Sequence, residues 1–118
     1  MTDFNTAKDT LLASIESQEH LFATTLAFIK TWYDFTPTAF RNGDIMNSAQ
    51  QNQGSAQVFA LSQLLNLSRD QTLACFGEHY REALETPEVD NHRNLRRVLR
   101  EGNVDITFDQ FPLQATIQ

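Results

Sequence analysis

The chain of 118 residues has little of what staples or stiffens a small protein: one cysteine, three prolines, four glycines and one tryptophan. A single cysteine, Cys75, excludes an intramolecular disulfide and any cysteine-based zinc or iron–sulfur site built within one chain. It suits a reducing compartment. Positive charge is scarce too, since nine Lys and Arg stand against fifteen Asp and Glu for a formal net charge of −6. Such a field repels nucleic acid and anionic membrane surfaces. No apolar run approaches the ~18 residues of a membrane span, and the N-terminal stretch MTDFNTAKDTLLASI lacks the basic region and apolar core of a signal peptide. These absences predict no nucleic-acid partner, no membrane partner and a cytoplasmic location, while leaving open secretion routes that use no cleavable signal.

What is there is enough for a core. Apolar residues make up 41% of the chain and include nine Phe, which concentrates hydrophobic area in few positions and argues for one folded domain over residues 1–118. Ala7, Leu11, Leu12 and Ile15 lie on one stripe and predict a helix over 6–17. Phe22, Leu26, Ile29 and Tyr33, flanked by Leu21, Thr25, Phe28 and Trp32, predict a central helix over 19–33. Val58, Leu61 and Leu65 predict a third over 55–67 with Ser55 as its N-cap. Ser68 and Gln71 form a capping-box pattern opening a fourth over 69–84. Gly77 inside that helix costs about 1 kcal/mol of propensity, which a close helix crossing would offset. A fifth helix runs over 91–101, capped by Asp90 and stopped by Gly102. Val104, Ile106 and Phe108 then alternate with polar residues as a strand does.

Between the second and third helices lies a long polar run, Tyr33 to Ser55. Its Asn42-Gly43 pair suits a two-residue hairpin turn, and the hairpin over 38–47 is the natural partner for the strand at 104–108. The fold class is therefore α+β, mainly helical, with about five helices and a small antiparallel sheet. Phe35, Phe40 and Met46 can anchor the run, leaving Thr36, Thr38, Asn42, Asn47, Gln51 and Asn52 either to meet a ligand or to satisfy the backbone of a long ordered loop.

Chemistry-bearing residues gather in two other places. Arg93, Arg96, Arg97 and Arg100 share one side of the fifth helix, four of the nine basic residues, and fit either an anion-binding patch or a solvated face paired with local acids. On the fourth helix Cys75, Glu78, His79 and Glu82 share a side. Cys75 and His79, four apart, are candidates for a nucleophile and its base. Glu78, His79 and Glu82, joined by Glu16, Glu19 and His20, are candidates for a carboxylate-histidine metal site. An inert buried thiol is the simpler reading of Cys75, and neither a resident metal nor another cofactor is expected.

Several long motifs in order carry a family resemblance. YDFTPTAFRNG at 33–43, NSAQQNQGS at 47–55, TLACFGEHY at 72–80 and DNHRNLRRVLREG at 90–102, followed by Val104 to Phe108, resemble the HopJ type III effector family. The resemblance covers about residues 11–108. It marks Thr36, Thr38, Asn42, Asn47, Gln51, Asn52, His92, Asn94 and Arg96 as matching polar positions and implies no catalytic assignment. Gln50 stands where the family has glycine, Val98 where it tends to have phenylalanine and Asn103 where it tends to have tryptophan. The resulting expectation is a binding protein whose polar run and fifth helix face a small polar or anionic ligand, or an acidic protein. An enzyme using Cys75 with His79, or a metal site, is the alternative. A secreted effector acting on a host protein is a third reading, implied by the family name.

Overall fold

The computed structural model describes residues 3–116. In chain order the elements are α1 (Phe4–Ile15), α2 (Phe22–Trp32), β1 (Tyr33–Phe35), β2 (Phe40–Asn42), β3 (Ile45–Asn47), α3 (Gln53–Leu65), α4 (Arg69–Ala74), α5 (Glu78–Glu85), α6 (Arg93–Glu101), β4 (Ile106–Phe108) and β5 (Leu113–Ala115). The mixed, mainly helical α+β class holds. The sheet joining the hairpin to the strand after α6 holds as well, with order β3-β2-β4 and Phe40 opposite both Asn47 and Phe108.

Three expectations are corrected. The turn of the hairpin is Gly43-Asp44 and not Asn42-Gly43, because Asn42 pairs with Ile45 and sends its side chain into the interior. Gly43 has φ +60, and a Cβ there would run into the Arg97 guanidinium. The helix predicted over 69–84 is two helices. Gly77, at φ 56 and ψ −122, leaves helical geometry, and its missing Cβ lets the backbone of residues 20–22 approach, the nearest atom being Phe22 N at 2.5 Å from a Cβ built there. The close approach that offsets this glycine is therefore to a loop and helix start. The second antiparallel sheet, β1 with β5, pairs Tyr33 with Ala115 and Phe35 with Leu113. Its first strand follows α2 without a gap, where the apolar pattern reads as more helix.

The helix starts shift as well. Asp3 accepts from Thr6 N–H at 2.7 Å and caps α1. Ser68 and Gln71 form the expected capping box. By contrast α3 and α6 begin after Asn52 and His92, both in the left-handed region with φ of 54 and 51, and neither side chain caps its helix. Ser55 and Asp90 are thus not the caps.

The core is a contiguous cluster centred on Ile29, Val58, Phe59, Leu61, Leu73, Leu95 and Val98. Through it runs a row of rings: Phe111, Phe108, Phe40, Phe59, Phe76, Phe22, His79 and His92, with successive centroids 4.9–6.1 Å apart. Mostly tilted or edge-on contacts of this kind add to area burial. The row leads from the three-stranded sheet to the surface at α5 and α6. Among the described residues no helix is long and apolar enough to cross a membrane.

Candidate functional site

Where the ring row ends, the starts of α3 and α6 and the first turn of α5 enclose a cleft of ≈ 460 Å³. Phe22, Phe76 and Leu95 supply apolar wall, and Asn52, Ser55, His79, Asp90, His92, Arg93 and Asn94 supply polar groups. The first backbone N–H groups of a helix have no partner within it. Here two uncapped helix starts border one cleft, and the partial positive charge at each favours an anion.

Behind the cleft lies a network of three buried asparagines. Asn42 donates to the main-chain oxygen of Asn94 at 3.0 Å and to its Oδ1 at 3.1 Å. Asn94 donates to Asn47 Oδ1 at 3.0 Å, and Asn47 donates back to Asn94 Oδ1 at 3.3 Å. Asn52 reaches in from the surface to Asn47 Oδ1 at 2.7 Å. Arg97 closes the set by donating to Asn42 Oδ1 at 2.8 Å. These bonds weld the polar run to α6 and hold Asn52 and His92 beside the same opening.

The nine family-matched positions thus divide. Asn52, His92 and Asn94 line the cleft, and Asn42 and Asn47 brace it from beneath. Thr38 and Gln51 belong to the loop scaffold, whose hub is Gln53: it accepts from Thr38 N–H and donates to the main-chain oxygens of Thr38, Ser48 and Gln51. Thr36 is exposed beside β5, its N–H bonded to Pro112. Arg96 is 7% exposed and turns inward, donating to the main-chain oxygens of Asn91, Thr86 and Ala83. It holds the end of α5 and the loop that follows.

The arginine face is accordingly neither a uniform patch nor a solvated surface. Arg93 and Arg100 are exposed, whereas Arg96 and Arg97 are structural. The helical period placed all four on one side correctly. It could not show that the α5–α6 loop and residues 104–105 fold over the middle of that side.

The α5 candidates also separate. Cys75 is fully buried, and burial pushes its thiol up to about 12, so little thiolate exists near neutral pH. The break at Gly77 also removes the helical register that would have set it against His79. Both observations count against Cys75 and His79 as a nucleophile and its base. Glu78 accepts from Phe22 N–H at 2.7 Å, which holds its carboxyl below the usual range and supplies the acceptor at the start of α2. His20 is buried with one ring nitrogen 2.7 Å from Ser14 Oγ and the other 2.7 Å from Thr25 Oγ1. Both nitrogens are engaged, and among the described residues the cluster of possible metal ligands includes none of His20, Glu16, Glu19 or Glu78. What remains is His79 and Glu82, joined by His92 from α6: one donor atom from each lies within 4.8 Å of the others. His92 Nε2 is 2.9 Å from Glu82 Oε2, a hydrogen bond that lowers the Glu82 carboxyl's proton affinity.

Sequence reasoning missed Arg93, Asp90 and Ser55 as members of one site, and it set His79 and His92 in separate candidate groups. The H-x-x-E spacing of His79 and Glu82 on one helical turn was the available signal. The third member arrives only through tertiary packing.

Comparison with known proteins agrees with this architecture. The profile of the HopJ family, described as HopJ type III effector protein, matches residues 8–113. The crystal structure of VPA0580, described as a protein of unknown function, superposes with a TM-score of 0.85 at 39% identity, covering 98% of this chain and 95% of that one. No curated protein matches.

Proposed function

The chain belongs to the HopJ family, and from that premise we propose that it is a binding protein whose cleft at the starts of α3 and α6 receives a small polar ligand carrying an anionic group. The observation that carries this reading is the convergence of two uncapped helix starts, each preceded by a left-handed residue, on one cleft that also holds Arg93. Non-glycine residues in that region cost of order 1–3 kcal/mol and persist where the surroundings enforce them. The asparagine network does the enforcing here. A small ligand fits better than an acidic protein, since Arg96 and Arg97 are spent internally and leave no continuous arginine face. A cytoplasmic setting belongs to the same proposal and is supported by the free, buried thiol of Cys75.

Titration of the ¹⁵N-labelled protein with inorganic phosphate in the presence of EDTA tests the reading. Saturable amide shifts are expected at residues 53–55 and 93–95, and Arg93→Gln is expected to weaken binding by ~5–10-fold, the loss of one charge-assisted contact. Shifts that do not saturate, or that fall away from the cleft, would overturn it.

A further inference from the structure

We propose that His79, Glu82 and His92 form a binding site for one divalent first-row transition cation, zinc foremost, with an open coordination position facing the cleft. Two nitrogens and one carboxylate oxygen are the donor set of zinc sites that keep a place for an exogenous ligand, and the same set suits other borderline cations of the row. His79 and Glu82 stand one turn apart on α5. His92 enters from the N-cap of α6, its left-handed backbone carrying the ring over α5 to lie 4.9 Å from the His79 ring, centroid to centroid.

The donor atoms already lie within 4.8 Å of one another. Ligation at ~2.1 Å would set them about 3.4 Å apart in tetrahedral geometry; His92 Nε2 and Glu82 Oε2, now 2.9 Å apart, would part slightly and any wider pair would close, adjustments within reach of side-chain rotation because Glu82 is exposed and both rings are only partly buried. The His92–Glu82 pair does not by itself account for the grouping. It is half-exposed, and an exposed ion pair contributes little to stability; nor does it explain why His79 is directed to the same point. The edge of Phe22 against His79, at 5.1 Å between centroids, fixes that ring from behind. His79 and His92 also line the cleft, so the vacant side of the cation would look into the space where the anionic group is proposed to sit. The site does not depend on that anion.

Calorimetric titration of Zn²⁺ into EDTA-treated, exhaustively dialysed protein in phosphate-free buffer tests it, so that failure here is separate from failure of the anion reading. One equivalent should bind with a Kd of ~1 µM or tighter, and Co²⁺ in its place should develop visible d–d absorption. Glu82→Gln, His79→Ala and His92→Asn should each weaken binding by ~30-fold or more, with His92→Asn chosen because Asn tolerates the left-handed backbone. Circular dichroism identifies any variant that has unfolded, and Glu82→Gln, at an exposed position, keeps the test open in that event. His20→Gln should leave affinity unchanged. Absence of saturable binding, or affinity that survives loss of both His79 and His92, would overturn the proposal.

Discussion

Asn42, Asn47 and Asn94 are 0–4% exposed, and each buried amide needs partners because an unsatisfied one costs about 1–3 kcal/mol. Asn94 is the keystone, since its Oδ1 accepts from both others. Asn94→Ala should therefore lower stability by about 2–3 kcal/mol in urea denaturation, whereas Asn52→Ala, at the exposed end, should cost less than half of that; equal losses would count against the network. A sequence reader can see that these residues are amides in a polar run. Which ones turn inward is not visible, because Asn is equally at home in a turn and in a buried network. Asn103 shows the same ambiguity. Its amide donates to Leu67 O and Thr72 Oγ1 at 3.1 and 3.0 Å, and to Ser62 Oγ at 3.3 Å, so it serves as a hydrogen-bonding brace between α3 and α4.

At the scale of elements, Gly77 is the decisive position. The apolar period runs through it without interruption and predicts one helix, yet the chain turns there so that α5 can pack its first turn against the start of α2. With positive φ and the Phe22 backbone in the place of a Cβ, Gly77→Ala should destabilise by ~3 kcal/mol or more. Urea denaturation measures this; an exposed helix glycine would instead gain stability on the same change. The break also changes which side chains meet. It releases His79 and Glu82 from the register of Cys75 and aims them at α6. The Ser68 capping box, the Gly102 stop and the presence of a hairpin within 38–47 were legible because each is specified by local backbone chemistry, although the turn falls at Gly43-Asp44 and not at Asn42-Gly43. β1 and β5 were not, since β1 continues the apolar period of α2 without a gap and no turn signal ties the two strands, which lie far apart in sequence.

For the whole molecule, acid should be a sensitive probe, and His20 shows why. It sits between α1 and α2 with both ring nitrogens engaged, and burial first, then repulsion from Arg81, lower its proton affinity, with Glu78 opposing. The unfolded chain then binds a proton that the folded chain refuses, so His20 contributes stability above its unfolded pKa of about 6.5 and this is lost as pH falls through that value toward the lower folded one. Stability measured by urea denaturation should decline between about pH 7.5 and 5 more steeply in the wild type than in His20→Gln; parallel slopes would refute the assignment. The sequence by itself determined the mixed helical class, most helix spans, the three-stranded sheet and the family, because periodicity, caps and ordered motifs are properties of neighbouring residues. Only the tertiary structure decided that Arg96 and Arg97 are braces, that Cys75 is buried, and that His79, His92 and Arg93 meet around one cleft with Glu82 beside the two histidines. Burial and convergence depend on chain segments packing across long separations, and no local pattern encodes which faces will meet.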